Sequence, residues 1–123
     1  MKNLNFLLLF GLLFSFTSIF SQLTDCNELP VKFENYNKAI YIIENTKFSF
    51  VDAVNTSTSP EIKAAEFFSC NEDYGYLFIK LNNKTLIYNK IPIDVWFELK
   101  NADFFEKYYN ANIKKQYKTQ LML

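Results

Sequence analysis

Residues 62–88, IKAAEFFSCNEDYGYLFIKLNNKTLIY, carry the pattern that decides the fold. Ile62 to Ser69 reads as a strand, Asn71-Glu72-Asp73 as a turn, Tyr74 to Leu81 as a second strand, Asn82-Asn83 as a tight turn and Lys84 to Tyr88 as a third strand. In the middle segment Leu77, Ile79 and Leu81 alternate with Tyr76, Phe78 and Lys80. A strand with that alternation has an aliphatic face for a core and an aromatic face that something must cover. Asn82-Asn83 suits a two-residue hairpin, since Asn tolerates a positive φ better than other residues with a Cβ.

Upstream, apolar or aromatic residues fall at 33, 36, 39, 40 and 43, the spacing of one helical face, so the sequence predicts an amphipathic helix from Phe33 to Glu44. Phe48-Ser49-Phe50 reads as a short strand or an extended crossing, and Asn55-Thr56-Ser57-Thr58-Ser59-Pro60 as a polar loop. Downstream, Pro92 suits the first turn of a helix with Val95, Trp96 and Leu99 as its apolar stripe. Asp103-Phe104-Phe105-Glu106 has the form of a capping box, which places a last helix from Phe104 to about Asn112 with Lys114, Lys115 and Lys118 near its end. The expected fold is therefore α+β: an N-terminal helix, a three-stranded antiparallel meander, and two C-terminal helices packed on one sheet face.

Residues 1–21, MKNLNFLLLFGLLFSFTSIFS, have the Lys2 start, Phe/Leu-rich run and small closing residues of a secretory signal peptide. The apolar run falls short of the ~20 residues that span a bilayer, so the expectation is cleavage between Ser21 and Gln22. The mature chain then has no membrane span and is periplasmic or secreted. Lipid attachment at Cys26 is disfavoured because the charged Asp25 stands immediately before it. The remaining chain divides into an N-terminal extension with its polar loop, 22–59, and a domain at 60–123. In an oxidising compartment Cys26 and Cys70, the only cysteines, are expected to form a disulfide, with two separate buried thiols as the other reading.

Of the 123 residues, 13 are Lys and 13 are acidic, with neither His nor Arg. Without imidazole there is no His-based catalytic dyad and no His-ligated metal; without guanidinium there is no planar fork for phosphate or guanine. Two Gly leave no room for a Gly-rich phosphate loop, and a hydrophobic fraction of 50% argues for a compact fold. Loss of residues 1–21 would remove Lys2 and leave one more acid than lysine, a balance that does not steer a protein onto nucleic acid. The Lys/Asn/Ile/Phe-rich composition looks like AT-rich bacterial coding, so the Asn55-Thr56-Ser57 and Asn83-Lys84-Thr85 matches to a glycosylation motif are read as chance.

The order Ile62-Lys63-Ala64, Leu86-Ile87-Tyr88 with Pro92 four residues on, Val95-Trp96, Lys100-Asn101-Ala102, Tyr108-Tyr109-Asn110 and Asn112-Ile113-Lys114 with Tyr117 resembles the KTSC domain. That family is named for its place at the C terminus of some lysyl-tRNA synthetases and also occurs as stand-alone bacterial proteins. The resemblance covers 62–117 and departs from the family pattern at Leu86-Ile87-Tyr88, where Tyr-x-Tyr is usual, and at Phe104-Phe105-Glu106, where Ser-x-Gly is usual. It implies RNA binding, a role that sits badly with an Arg-free, slightly acidic exported chain.

Tyr88, Trp96, Tyr108 and Tyr117 are the candidate binding residues, able to stack on a base, sugar or peptide, with Lys114 beside them; core packing is the competing role of the aromatics. Glu72-Asp73 and Asp103 to Glu106 are the carboxylate clusters an enzyme would use, and each already has a turn or cap to form. The sequence-level expectation is a small exported, non-enzymatic binding module with no cofactor or metal, partnered by an envelope protein or peptide. Nucleic-acid binding and a carboxylate-based envelope enzyme are the alternatives.

Overall fold

The computed structural model describes residues 23–30, 32–56 and 59–122, the side chains of 120–122 excepted. Residues 1–21, where the sequence predicts a signal peptide, lie outside the described residues. The chain forms an α+β fold around a five-stranded antiparallel sheet in simple sequence order. Its elements are a 3-10 turn at Cys26–Glu28, helix α1 at Tyr36–Glu44, strands β1 (Phe50–Asn55), β2 (Ile62–Ser69), β3 (Tyr74–Leu81) and β4 (Thr85–Pro92), helices α2 (Ile93–Lys100) and α3 (Phe105–Tyr109), a π-helical turn at Asn110–Lys114, and β5 (Thr119–Met122).

The three expected strands are present as β2, β3 and β4, and the sheet gains one strand on each edge. On one edge, β1 pairs with β2 from Phe50↔Ser69 to Asn55↔Ala64. Its alternation is interrupted by Asp52, which lies on the same face as Phe50 and Val54. A carboxylate is tolerated there because Trp96 Nε1 donates to Asp52 Oδ2 at 3.0 Å and Lys100 Nζ at 2.8 Å, both from α2. On the other edge the chain's last residues return to β4, with Ile87↔Leu121 and Tyr88↔Thr119 in register. Because β1 precedes the polar loop and β2 follows it, the 59/60 division falls inside one sheet.

Hydrophobic layers form on both faces of the sheet. One joins Phe67, Leu77, Ile79 and Tyr88 to Trp96 and Leu99 of α2 and to Tyr109 and Ile113 beyond it. The other joins Tyr76, Phe78 and Ile87 to Phe33 and to Ala39 and Ile43 of α1. Helix α1 starts later than the apolar spacing suggested, because the Asn35 side chain accepts from Lys38 N–H at 2.9 Å and caps it. Phe33 stays in the extended lead-in and packs on Tyr76 with ring centroids 5.4 Å apart.

A Cys26–Cys70 disulfide, Cα atoms 5.7 Å apart, ties the segment before α1 to the β2–β3 turn. Closing a loop with a sequence separation of 44 removes unfolded-state entropy worth about 4 kcal/mol in the chain-entropy model. That turn is braced from within: the Ser69 hydroxyl donates to Tyr74 O at 2.6 Å and accepts from Glu72 N–H at 2.9 Å. Asn71 Oδ1 accepts from the Asp73 and Tyr74 amides, and Glu72 takes the left-handed conformation with φ 60°.

At the β3–β4 hairpin the structure corrects one expectation. The two-residue turn forms, closed by Leu81 N–H donating to Lys84 O at 2.8 Å, but neither Asn82 nor Asn83 has a positive φ. The positive φ instead falls at Lys90, φ 55°. There β4 holds an extra residue, since Gly75 pairs with Ile91 while Leu77 pairs with Tyr88. This bulge turns Ile91 onto the same face as Tyr88, in the α2-covered core.

Two substitutions with opposite effects test this backbone geometry. A Cβ on Gly75 would lie 2.2 Å from the Phe68 carbonyl oxygen, on backbone that cannot swing away, so Gly75→Ala is expected to cost about 3 kcal/mol. Lys90→Gly removes a left-handed penalty at an exposed site and is expected to gain up to about 1 kcal/mol. Urea unfolding of both variants checks the pair.

Candidate functional site

A cavity of about 530 Å³ opens at the β3–β4 hairpin end of the sheet, on the α2/α3 side. The start of β2 and the hairpin form one wall through Ile62, Leu81 and Leu86, while Tyr109, Asn110 and Lys114 form the opposite wall. Tyr117, Lys118 and Thr119, leading into β5, close the third side. The π-helical turn brings Asn110 and Lys114 into the same wall; π turns are frequent at functional sites.

In this wall the Tyr88 and Tyr109 hydroxyls lie 2.7 Å apart with both rings buried. Burial pushes both phenols above their ordinary pKa, so both keep their protons at neutral pH. Two hydroxyls bring two hydrogens, and their mutual bond uses one. Among the described side chains no acceptor is found for the second. Lys84, Lys114 and Lys118 line the cavity together with Glu61 and Glu106.

Glu106 is where the expected capping box fails. Helix α3 begins after Phe104, without any side-chain cap, and Asp103 caps nothing. The Glu106 carboxylate turns across to the start of β2. There Oε1 accepts from the Ser59 hydroxyl, from Glu61 N–H at 2.8 Å and more weakly from Ile62 N–H at 3.4 Å. Three tertiary donors outweigh the single reciprocal bond that a capping box offers. The Ser59 hydroxyl and the Glu61 amide hold this carboxyl below its ordinary pKa, against a smaller opposing effect of desolvation.

The structure brings together three of the five candidate binding residues, Tyr88, Lys114 and Tyr117. Trp96 is placed elsewhere: it is 0% exposed, stacked on Phe67 at 5.4 Å and 9°, and its ring is fully engaged in the core. Tyr108 also lies away from the cavity, its hydroxyl donating to Glu98 Oε2 at 2.6 Å; desolvation and that bond raise its pKa. Its neighbour Tyr109 lines the cavity instead. Tyr109 and Ile113 are buried in the core layer on this side of the sheet, with Phe105 and Tyr108 packed against it and only partly buried.

Of the carboxylate clusters, Glu72-Asp73 lies in the β2–β3 turn, whereas Glu106 binds the opposite end of β2. The two are separated by the length of that strand, about 23 Å at ~3.3 Å per residue. Among the described residues no group of three or more Cys, Asp or Glu could hold a metal ion. A wider cavity of about 850 Å³ lies on the other side of Glu106, between the end of β1 and the Ala102–Lys107 segment, with Phe104 73% exposed at its edge.

Fold and site together define a small antiparallel meander layered by helices on both faces, with a tyrosine-lined cavity at one end. No family model matches the chain, and neither a curated protein nor a solved structure matches it.

Asp52 and Glu106 give the fold an acid-labile pair of ties. Partial desolvation pushes the Asp52 carboxyl up, but the bonds from Lys100, Trp96 and the Ala53 amide outweigh it and hold the pKa low. A carboxyl with a lowered folded pKa contributes its stability in full above the unfolded value of about 4, and loses it as pH falls through the folded value. Urea midpoints should therefore fall as the pH is lowered from about 6 to about 3. Glu106→Gln, which keeps the acceptor oxygen but not the charge, is expected to lower stability at neutral pH by about 1 kcal/mol and to flatten that dependence.

Proposed function

We propose that this chain is an exported, non-enzymatic binding module whose ligand enters the cavity between Tyr88, Tyr109 and Tyr117. The observation that carries the reading is the buried Tyr88–Tyr109 hydroxyl pair in the wall of that cavity, with one phenolic hydrogen for which no side-chain acceptor is found among the described residues. Buried polar groups ordinarily find partners, and a donor left over beside a cavity is what a ligand acceptor satisfies. The non-enzymatic part is supported by the separation of the two carboxylate clusters and by a chain without His. Export is supported by the signal-like residues 1–21 and by the Cys26–Cys70 disulfide. No helix among the described residues is long and apolar enough to cross a membrane.

Intact mass tests export directly. Protein recovered from the envelope or medium of its host is expected to begin at Gln22 and to lack the two hydrogens of free thiols; a mass that retains residues 1–21 or both thiols overturns the assignment.

The RNA role implied by the KTSC resemblance has a different signature. Single-stranded RNA titrated at low salt is expected to give no saturable binding. An affinity that falls steeply with salt, and drops when Lys114 and Lys118 are replaced by Gln, would make RNA the ligand instead.

A further inference from the structure

We infer that the tyrosine-lined cavity recognises a small uncharged molecule through a carbonyl oxygen, an assignment that rests on the binding-module reading and gives it a ligand class. The first observation is the Tyr88–Tyr109 pair, whose hydroxyls lie 2.7 Å apart in the cavity wall. One of the two hydrogens closes their mutual bond, and no side-chain acceptor for the other is found among the described residues. The phenol that accepts from its neighbour is polarised by that bond and becomes the better donor. It calls for a ligand atom with a lone pair, which an ammonium ligand lacks.

The second observation is the setting of that pair, which disfavours a charged ligand. Tyr88 is 2% and Tyr109 3% exposed, and desolvation is the largest influence on both phenols, holding their protons in place. A carboxylate drawn to the same donor would leave water for a buried position, at a cost far above that of a carbonyl. The rest of the lining supplies no net charge to offset that cost. Lys114 and Lys118 stand against Glu61 and Glu106, and Lys84 is engaged by a partner of its own. Matched charges favour neither an anion nor a cation.

The third is the apolar wall of Ile62, Leu81 and Leu86 beside these polar groups. A ligand that lays an apolar body on that wall, with its carbonyl turned to the phenols, removes apolar surface from water on both partners. Amides, esters, lactones and ketones share this chemistry. The volume of about 530 Å³ is in the range of roughly 300–1,000 Å³ of small-molecule sites.

The test follows backbone amides of the oxidised protein by NMR during titration, at matched ionic strength and millimolar concentration, with uncharged benzamide and its charged isosteres benzoate and benzamidinium. Benzamide is expected to move the amides of residues 109–118, with both charged isosteres weaker by about tenfold or more. Replacing the tyrosines together, Tyr88→Phe with Tyr109→Phe, removes both hydroxyls and leaves no partner unsatisfied. The fold is then expected to keep its urea midpoint while benzamide weakens by about fivefold. If benzoate or benzamidinium binds as tightly as benzamide, the uncharged assignment fails while the cavity stands as a binding site. Undiminished benzamide binding by the double variant overturns recognition through the phenols. Should that variant not fold, the ranking of the isosteres on the unaltered chain decides alone. If none of the probes moves these amides, the cavity reading itself is overturned.

Discussion

Strand β3 buries side chains on both of its faces, Tyr76 and Phe78 on one and Leu77 and Ile79 on the other. A sheet whose centre is apolar on both sides needs a layer on each, and this requirement organises the rest of the chain. The C-terminal helices cover the aliphatic side. Helix α1 covers the aromatic side, where its short length gives it little independent stability. It is held by Phe33, Ala39 and Ile43 against the sheet, while the Cys26–Cys70 disulfide anchors the chain leading into it. If that staple were absent, the aromatic face would be secured by one short helix and an extended lead-in.

Glu106 shows how tertiary structure redirects a local signal. In sequence it completes a capping box with Asp103; in the fold its carboxylate fastens α3 to the start of β2 and separates two cavities. Asp52 does the same elsewhere on this face of the sheet, tying edge strand β1 to Trp96 and Lys100 of α2. In each case an acidic side chain that reads as a surface group joins elements more than 40 residues apart in sequence. These ties are charge-assisted and local, so they fix the orientation of α2 and α3 without enlarging the apolar core.

Much of the site was legible residue by residue, and its assembly was not. Tyr88, Tyr117 and Lys114 stood out by type and spacing and share one cavity, but Trp96, the largest aromatic, went into the core, and Tyr109 took the place of Tyr108. Adjacent tyrosines differ by ~100° around a helix, so a small uncertainty in helix phase exchanges them. Lys84 and Glu61 come from the hairpin and the start of β2, and no sequence spacing relates them to the helix end they join.

The sequence by itself determined the three central strands, the turns between them, the amphipathic helices and the cysteine pair, because alternation, helical periodicity and turn residues are local signals. It also excluded imidazole and guanidinium chemistry by simple absence. Tertiary structure alone decided the two edge strands, the bulge at Lys90, the use of Glu106 and the meeting of Tyr88 with Tyr109. Edge strand β1 carries a charge on its inward face, and β5 is four residues long. Neither has enough local pattern to be read until the neighbouring strand supplies hydrogen bonds and α2 supplies a partner for the charge.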